Sequence, residues 1–379
     1  MRIVYVLDSL AHKGGAERII TEKVNYLASL DNYTIYIITC YQFPQTMTNV
    51  YQLSSKVMQI NLCIPSHIQY KYPKKLWLRW KYNRMLRNEL QKTINAIKPD
   101  ILIGVGHILA DAVCSINSKA AKIIESHQAR SFTMTPLQDN VSILSRINLF
   151  IYRKAYLSTI EKKADVVVAL TKEDAAEWRN AKCVKIIPDF SIMPISRMSN
   201  YETKKVITVG RLEWQKGYDR LINIWKIVTR SYPDWKLEIY GEGAMEFKLR
   251  NSIDAAGLNN ILIHPFTSNI SEAYADSSIF VLTSHFEGFS LVLLEALCHG
   301  LPCISFNCPY GPSDIIDNEI CGYIIENGNI EKFAQALCEL MGNSKIRKSF
   351  SEAAIKKGLL YNVDNIMQQW ILLFESLTK

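Results

Sequence analysis

Ile279-Phe280-Val281-Leu282-Thr283-Ser284-His285-Phe286-Glu287-Gly288-Phe289-Ser290-Leu291-Val292-Leu293-Leu294-Glu295-Ala296 reads as a short apolar strand, a polar turn and an apolar helix starting near Ser290. A strand running through a turn into a helix is the repeating unit of a parallel sheet covered by helices. Glu287 falls in the turn, and Glu295 stands eight positions later, inside the helix. At about 1.5 Å of rise per residue, Glu295 lies roughly 7 to 8 Å along it. One acid is expected at the mouth and one deeper. Leucines, Val292 and Ala296 surround Glu295, so burying its carboxylate is costly unless hydroxyls or other donors meet it. The ordinary alternative is a helix-terminal acid plus a core acid paired to a lysine or arginine.

The same alternation extends in both directions. Ile3–Leu7, Thr34–Thr39, Val57–Leu62, Ile101–Gly104, Lys122–Ile124 and Asp165–Ala169 form one series of strand-like runs. Val206–Val209, Lys236–Tyr240, Ile261–His264, Ile279–Leu282 and Cys303–Ser305 form a second. Two series specify an α/β chain of two doubly wound, Rossmann-like domains. Pro188–Lys204 has prolines, polar residues and no period, and separates them. The expected division is residues 1–190, a linker at 191–203, a second domain at 204–361, and a C-terminal helix at 362–379. Ile366, Trp370, Leu373 and Phe374 repeat at helical spacing in that last stretch, which can pack on either domain.

Composition narrows the function classes. At 379 residues, 48% hydrophobic and 21% charged, the chain suits two ordinary cores and is too apolar for disorder. Met1–Asp8 is too short for a signal-peptide core, and no run approaches the roughly 20 apolar residues of a membrane-spanning helix. A cytoplasmic protein with at most a peripheral place on the inner membrane face is expected. The nine cysteines lack paired metal-ligand spacing and read as reduced thiols. A net charge of +8 favours anionic partners; nothing points to nucleic acid.

Three further elements carry chemistry. Gly14-Gly15, after the first strand and before a helix, lets the backbone approach a ligand, although the third glycine of a dinucleotide fingerprint is missing. Gly241 and Gly243 follow another strand in the same manner. Arg211 and Lys216 lie just beyond a strand's carboxyl end, where ligands bind in open α/β sheets, and two cations there suit a diphosphate. Gly288, Phe289 and Ser290 bring helix-start amides beside Glu287, an anion cradle next to polyol acceptors.

Gly14-Gly15-Ala16-Glu17-Arg18, Gly210-Arg211-Leu212 with Lys216-Gly217, the Glu287-to-Glu295 block and Cys308-Pro309-Tyr310-Gly311-Pro312-Ser313-Asp314 resemble, in order, the motifs of family-4 retaining glycosyltransferases. The resemblance implies the GT-B architecture, two Rossmann-like domains facing across a cleft. It implies that Arg211 and Lys216 bind the donor diphosphate, that Glu287 holds hydroxyls of the transferred sugar, and that Glu295 binds the ribose. Gly14 and Gly15 would close the cleft, and Pro265 and Phe266 would meet the base. Glu125-Ser126-His127-Gln128 resembles the segment of the family's cleft histidine, which lies near the transferred sugar. A nucleoside diphosphate sugar, UDP by analogy, is the implied donor substrate, and a glycan or polyprenyl-linked glycan the acceptor. No Asp-x-Asp triad stands out, so no metal and no other cofactor is expected. A sugar-nucleotide epimerase of the same architecture is the alternative; it would need acid and base groups at the ring carbon and no acceptor groove.

Tyr70–Lys92 carries Lys71, Lys74, Lys75, Arg79, Lys81, Arg84, Arg87 and Lys92 against Glu89 alone, with Tyr70, Tyr72, Trp77, Trp80 and Tyr82 among them. Such a segment suits an anionic membrane surface. On a helical plot Leu76, Trp77, Leu78, Trp80, Met85, Leu86 and Leu90 spread around most of the circumference, which predicts no single apolar stripe.

Overall fold

The computed structural model describes all residues except 13, 67–73, 128, 131–153, 155, 156, 194, 196, 268 and 379. The chain divides into two compact units, one of Met1–Ile187 with Met367–Lys379, the other of Pro188–Ile366.

The sheet of the first unit has the order β3-β2-β1-β4-β5-β6-β7. Its strands are β1 (Arg2–Leu7), β2 (Thr34–Thr39), β3 (Met58–Asn61), β4 (Ile101–Val105), β5 (Ala121–Ser126), β6 (Val166–Ala169) and β7 (Val184–Ile186). All pair in parallel, β1 with β2 in the register Ile3 opposite Ile35 and with β4 in the register Ile3 opposite Ile101. Ile3, Val4, Tyr5 and Val6 are wholly buried, because helices cover both faces of a central parallel strand. The chain leaves β1 for β2 on one side and later returns to β4 on the other. The crevice at the carboxyl ends of β1 and β4 is therefore the topological switch point.

The second unit repeats the plan. Its sheet order is β10-β9-β8-β11-β12-β13, from β8 (Lys205–Val209), β9 (Lys236–Tyr240), β10 (Ile261–His264), β11 (Ile279–Leu282), β12 (Cys303–Phe306) and β13 (Gly322–Ile325). Its switch point lies between β8 and β11. Two strands lie beyond the sequence expectation, β7 and β13, each at a sheet edge.

The described residues of the stretch 191–203 form no helix or strand, yet several are fastened to the second unit. Ser199 donates from its backbone to the His299 carbonyl (2.8 Å) and from Oγ to that of Gly300 (2.9 Å), and Asn200 N reaches the Ala275 carbonyl (2.9 Å). The helix Val363–Thr378 joins the first unit from Met367 onward, with Trp370 and Phe374 buried.

The helix Lys74–Ile97 corrects the expected scatter of apolar residues. Leu78, Leu86, Leu90 and Ile94 are buried in one stripe, while Trp77 (57% exposed), Trp80 (61%) and Met85 are exposed. On the outer face Lys81 Nζ stands 5.2 Å from the Trp77 ring centre and Arg84 Cζ 5.6 Å from that of Trp80. Leucine is sorted inward and tryptophan outward, a distinction that a plot of hydrophobicity alone does not make. Tyr70, Lys71, Tyr72 and the Leu76 side chain lie outside the described residues. All nine cysteines are free thiols. Among the described residues no helix is long and apolar enough to cross a membrane.

Candidate functional site

In the second unit the loops after β8 and β11 meet at the switch point. The first holds the 3-10 turn Trp214–Lys216, ended by Gly217 in the left-handed region (φ 63°). A Cβ at Gly217 would stand 2.1 Å from the Thr283 carbonyl oxygen, so only glycine lets the two loops approach this closely. Hydrogen bonds stitch them together. Thr283 Oγ1 donates to the Gly217 carbonyl (3.0 Å), His285 N to that of Gln215 (2.8 Å), and Gln215 Nε2 to that of Phe286 (3.1 Å). Trp214 stacks on His285, ring centres 4.1 Å apart and planes 11° from parallel. Burial, with help from the nearby Arg220, depresses the His285 pKa, which favours the neutral ring.

This stitching brings Lys216 to Glu287. Lys216 Nζ lies 2.8 Å from Glu287 Oε1, and Ser284 Oγ donates to the same oxygen at 2.5 Å. One sequence expectation is corrected here. Glu287 is not an open acid at a mouth, being only 4% exposed, scarcely different from the 8% of Glu295. Lys216 carries an internal counter-charge in this carboxylate. The reason is chemical, since a carboxylate turned into a loop this enclosed needs donors. Arg211, by contrast, is exposed and makes no ion pair among the described residues.

Ser290 adopts φ 66°, ψ 68° as it opens the helix Leu291–Cys298. Its Oγ is buried without a hydrogen-bond partner among the described residues, next to the Gly288 and Phe289 backbone. Gly311 keeps that backbone close, because a Cβ on it would lie 2.9 Å from the Phe289 carbonyl oxygen. Further along the helix, Glu295 Oε2 accepts from the Tyr274 hydroxyl at 3.3 Å. A phenol thus supplies one of the donors that its burial requires.

Gly241 and Gly243 have a structural role in the loops at this end of the sheet. A Cβ at Gly241 would meet the Gly210 carbonyl oxygen at 1.9 Å, and one at Gly243 the Leu212 carbonyl oxygen at 2.5 Å. Their lack of side chains is used to pack the β9 loop against Gly210-Arg211-Leu212, which sets the backbone that carries Arg211. Tyr218 supports the same turn by donating from its hydroxyl to the Gly210 carbonyl (2.9 Å). Pro265 and Phe266 are exposed after β10, and Phe266 N donates to Glu242 Oε1 (3.2 Å).

In the first unit Gly14 precedes the helix Gly15–Ser29 at the carboxyl end of β1. Its φ of −124° is open to any residue. What demands glycine is the Glu17 carboxylate, which folds back so that a Cβ on Gly14 would lie 2.0 Å from Glu17 Oε2. His127 follows β5 and places Nε2 2.9 Å from Glu125 Oε1. Lys23, from the helix after β1, forms an ion pair with that same Glu125 oxygen. Ser126 Oγ and Arg130 N both donate to Asp174 at 2.8 Å, which ties down the turn carrying His127.

Sequence reasoning missed Ser284, Tyr274, Tyr218 and the Lys23–Glu125 pair. One signal was available. Lys23 interrupts the apolar face made by Ile19, Ile20, Val24 and Leu27, and a lysine in such a stripe requires a buried acid elsewhere.

Residues 194–357 match the model of the family described as glycosyl transferases group 1. An uncharacterized glycosyltransferase of Haemophilus influenzae is 26% identical over 97% of this chain and 98% of its own length. The amylovoran biosynthesis glycosyltransferase AmsD of Erwinia amylovora is 32% identical over 55% of this chain and 61% of its own. Among solved structures, a variant of Staphylococcus aureus TarM superposes with a TM-score of 0.74 at 17% identity, covering 98% of this chain and 99% of that one, which establishes likeness of fold. Two Rossmann-like units and these relatives mark the chain as a glycosyltransferase with the GT-B fold, whose residues 194–357 are similar to the group 1 family.

Proposed function

We propose that the protein transfers a hexose or N-acetylhexosamine from a UDP-sugar to a glycan or polyprenyl-linked acceptor during surface polysaccharide synthesis, with retention of anomeric configuration. The observation that carries this reading is the Lys216–Glu287 pair at the switch point of the second unit, beside the exposed Arg211 and the unpartnered Ser290 hydroxyl. Support comes also from AmsD, named for amylovoran biosynthesis, and from the TarM structure, whose crystal contains UDP and alpha-GlcNAc-glycerol.

In this reading the donor diphosphate takes Arg211, Lys216 and the backbone amides of Gly288, Phe289 and Ser290, which stabilise the charge that develops as the phosphate leaves. Glu287 accepts from hydroxyls of the transferred sugar and Glu295 from the ribose. The nucleobase lies against Pro265 and Phe266. The acceptor attacks on the face the phosphate leaves, and the departing phosphate oxygen takes the acceptor proton. Glu287 is not assigned as a nucleophile.

The helix Lys74–Ile97 presents Trp77 and Trp80 outward among cations, a face suited to an anionic lipid surface and hence to a lipid-linked acceptor. A cytoplasmic enzyme resting on the inner membrane face follows from this reading. Incubation of the purified protein with a panel of sugar nucleotides and an acceptor extract, with products identified by mass and by anomeric NMR, tests it. A product of inverted configuration, or no transfer from any UDP-sugar, overturns it.

A further inference from the structure

We propose that Glu125 is a positioning residue for sugar transfer, holding His127 through Nε2 while the buried Lys23 keeps the carboxylate company, an assignment that rests on His127 lying at the transferred sugar.

The geometry forms a chain through the first unit. Glu125 is the next-to-last residue of β5, and His127 stands two positions on, past the strand end, so both side chains leave the same face of the strand direction. The Glu125 and Lys23 side chains are 0% and 2% exposed and that of His127 is 8% exposed. Both donors converge on Oε1; Oε2 is buried without a partner among the described residues. Behind Lys23, the Trp370 ring of the C-terminal helix lies with its centre 3.5 Å from Nζ, so the ammonium is held between a carboxylate and a π face. Tyr5 of β1 also faces Lys23, its ring centre 6.0 Å away. Asp174 and Arg130, also near this strand end, engage Ser126, the turn and the buried Glu161, whose Oε1 lies 3.1 Å from Arg130 Nη2.

Stability alone does not call for such a pair, because buried ions cost desolvation that an apolar pair of equal volume avoids. A charged carboxylate does something that an apolar residue cannot. It accepts from Nε2, which fixes that nitrogen as the protonated one and sets the plane of the ring. It also favours the imidazolium over the neutral ring. Burial works to raise the Glu125 pKa, but Lys23 and His127 together outweigh it and bring it down to about 2, so the carboxylate is charged at any working pH.

The test uses the full chain, with K23M/E125L to remove both charges and the acceptor, and K23M/E125Q to remove the charges while leaving an acceptor. Neither leaves a lone buried ion, so both are chosen to fold. H127A serves as the reference. Turnover is measured with the sugar nucleotide accepted in the panel above, UDP affinity by calorimetry, and the His127 titration by NMR of histidine-labelled protein. K23M/E125L should lower kcat by roughly 10- to 100-fold, less than deletion of a transition-state donor outright, with donor KM and UDP affinity within about twofold. K23M/E125Q should recover part of that loss. In both, the His127 titration should move to lower pH. If H127A is inactive while K23M/E125L turns over normally, or if the titration does not move, the positioning role of Glu125 is overturned and the placing of His127 stands. If H127A is itself fully active, the placing of His127 falls, and this proposal with it.

Discussion

Lys216 and Glu287 were expected to serve different parts of the donor, and their direct contact makes the two substitutions behave unequally. Glu287 is nearly enclosed, so Lys216→Ala leaves a carboxylate with Ser284 as its remaining side-chain donor. Removing one partner of a buried pair costs about 3 to 5 kcal/mol. The lysine side chain retains 14% exposure, so water reaches the pair and about 2 to 3 kcal/mol is expected. For a domain the size of the second unit, that lowers Tm by roughly 4 to 12 °C. Glu287→Gln instead leaves an ammonium that can turn toward solvent, a cost of about 1 kcal/mol. The binding effects run in opposite directions. Lys216→Ala should weaken UDP by roughly 10- to 100-fold, the worth of a charged hydrogen bond. Glu287→Gln releases Lys216 from its internal counter-ion, so UDP, which lacks the sugar, should bind as well as before or a few-fold tighter, while transfer is abolished. Scanning calorimetry and UDP titration on both single variants and the K216A/E287Q double variant measure all of this. Equal weakening of UDP by the two single variants, or a double variant whose stability is simply the sum of the singles, would refute a functional pair.

Gly217→Ala should destabilise the second unit by more than the roughly 1 to 2 kcal/mol of a left-handed alanine, because the Thr283 carbonyl must also move, and a melt within 1 °C of native would contradict this. Burial lifts the Asp174 pKa from 3.8 to about 6 despite its hydrogen bonds from Arg130 and Ser126. Between those values the folded chain keeps a proton that the unfolded chain has lost, so stability should fall as pH rises through about 4 to 6, by up to about 3 kcal/mol. Asp174→Asn should flatten that slope in urea titrations across the window, and an unchanged slope would assign it elsewhere. Transfer should survive EDTA; loss on chelation with rescue by magnesium or manganese would require a metal. Native protein should sediment with anionic vesicles at low salt and not at high salt, and Trp77→Ala/Trp80→Ala should release it. Equal sedimentation of that variant would remove this helix from the membrane contact.

The sheet was legible because its central strands are buried on both faces and so read as unbroken apolar runs, Ile3–Leu7 and Ile279–Leu282 most plainly. The edge strands were not. β7 is three residues long with Lys185 and Ile186 exposed, and β13 opens on a glycine whose Cβ would lie 2.0 Å from the Cys303 carbonyl oxygen. β7 is broken by a lysine, and the Tyr323-Ile324-Ile325 run of β13 is short and only partly buried. The site residues were found by type and by position after strands, because carboxyl-end loops are where open sheets place ligands. Their pairings stayed hidden, since Lys216 and Glu287 are 71 positions apart and Lys23 and Glu125 are 102. No local pattern records a contact closed by strand order.

The two ion pairs nevertheless obey one rule of the topology. In each unit a lysine from the first strand's outgoing segment reaches an acid near the carboxyl end of a strand across the switch point, β1 toward β5 and β8 toward β11. In a doubly wound sheet the segments leaving those strands converge at that edge, and charges placed there are partly shielded from water. Left alone, each would bear the full desolvation cost; paired, each is neutralised until a ligand of greater charge arrives. The Lys216 side chain retains 14% exposure, so in the proposed reading a diphosphate can compete for it. The Lys23–Glu125 pair has almost none, and Trp370 closes it from behind. In the proposed reading, exposure therefore separates a pair that opens to substrate from one that holds its neighbour, His127, in place.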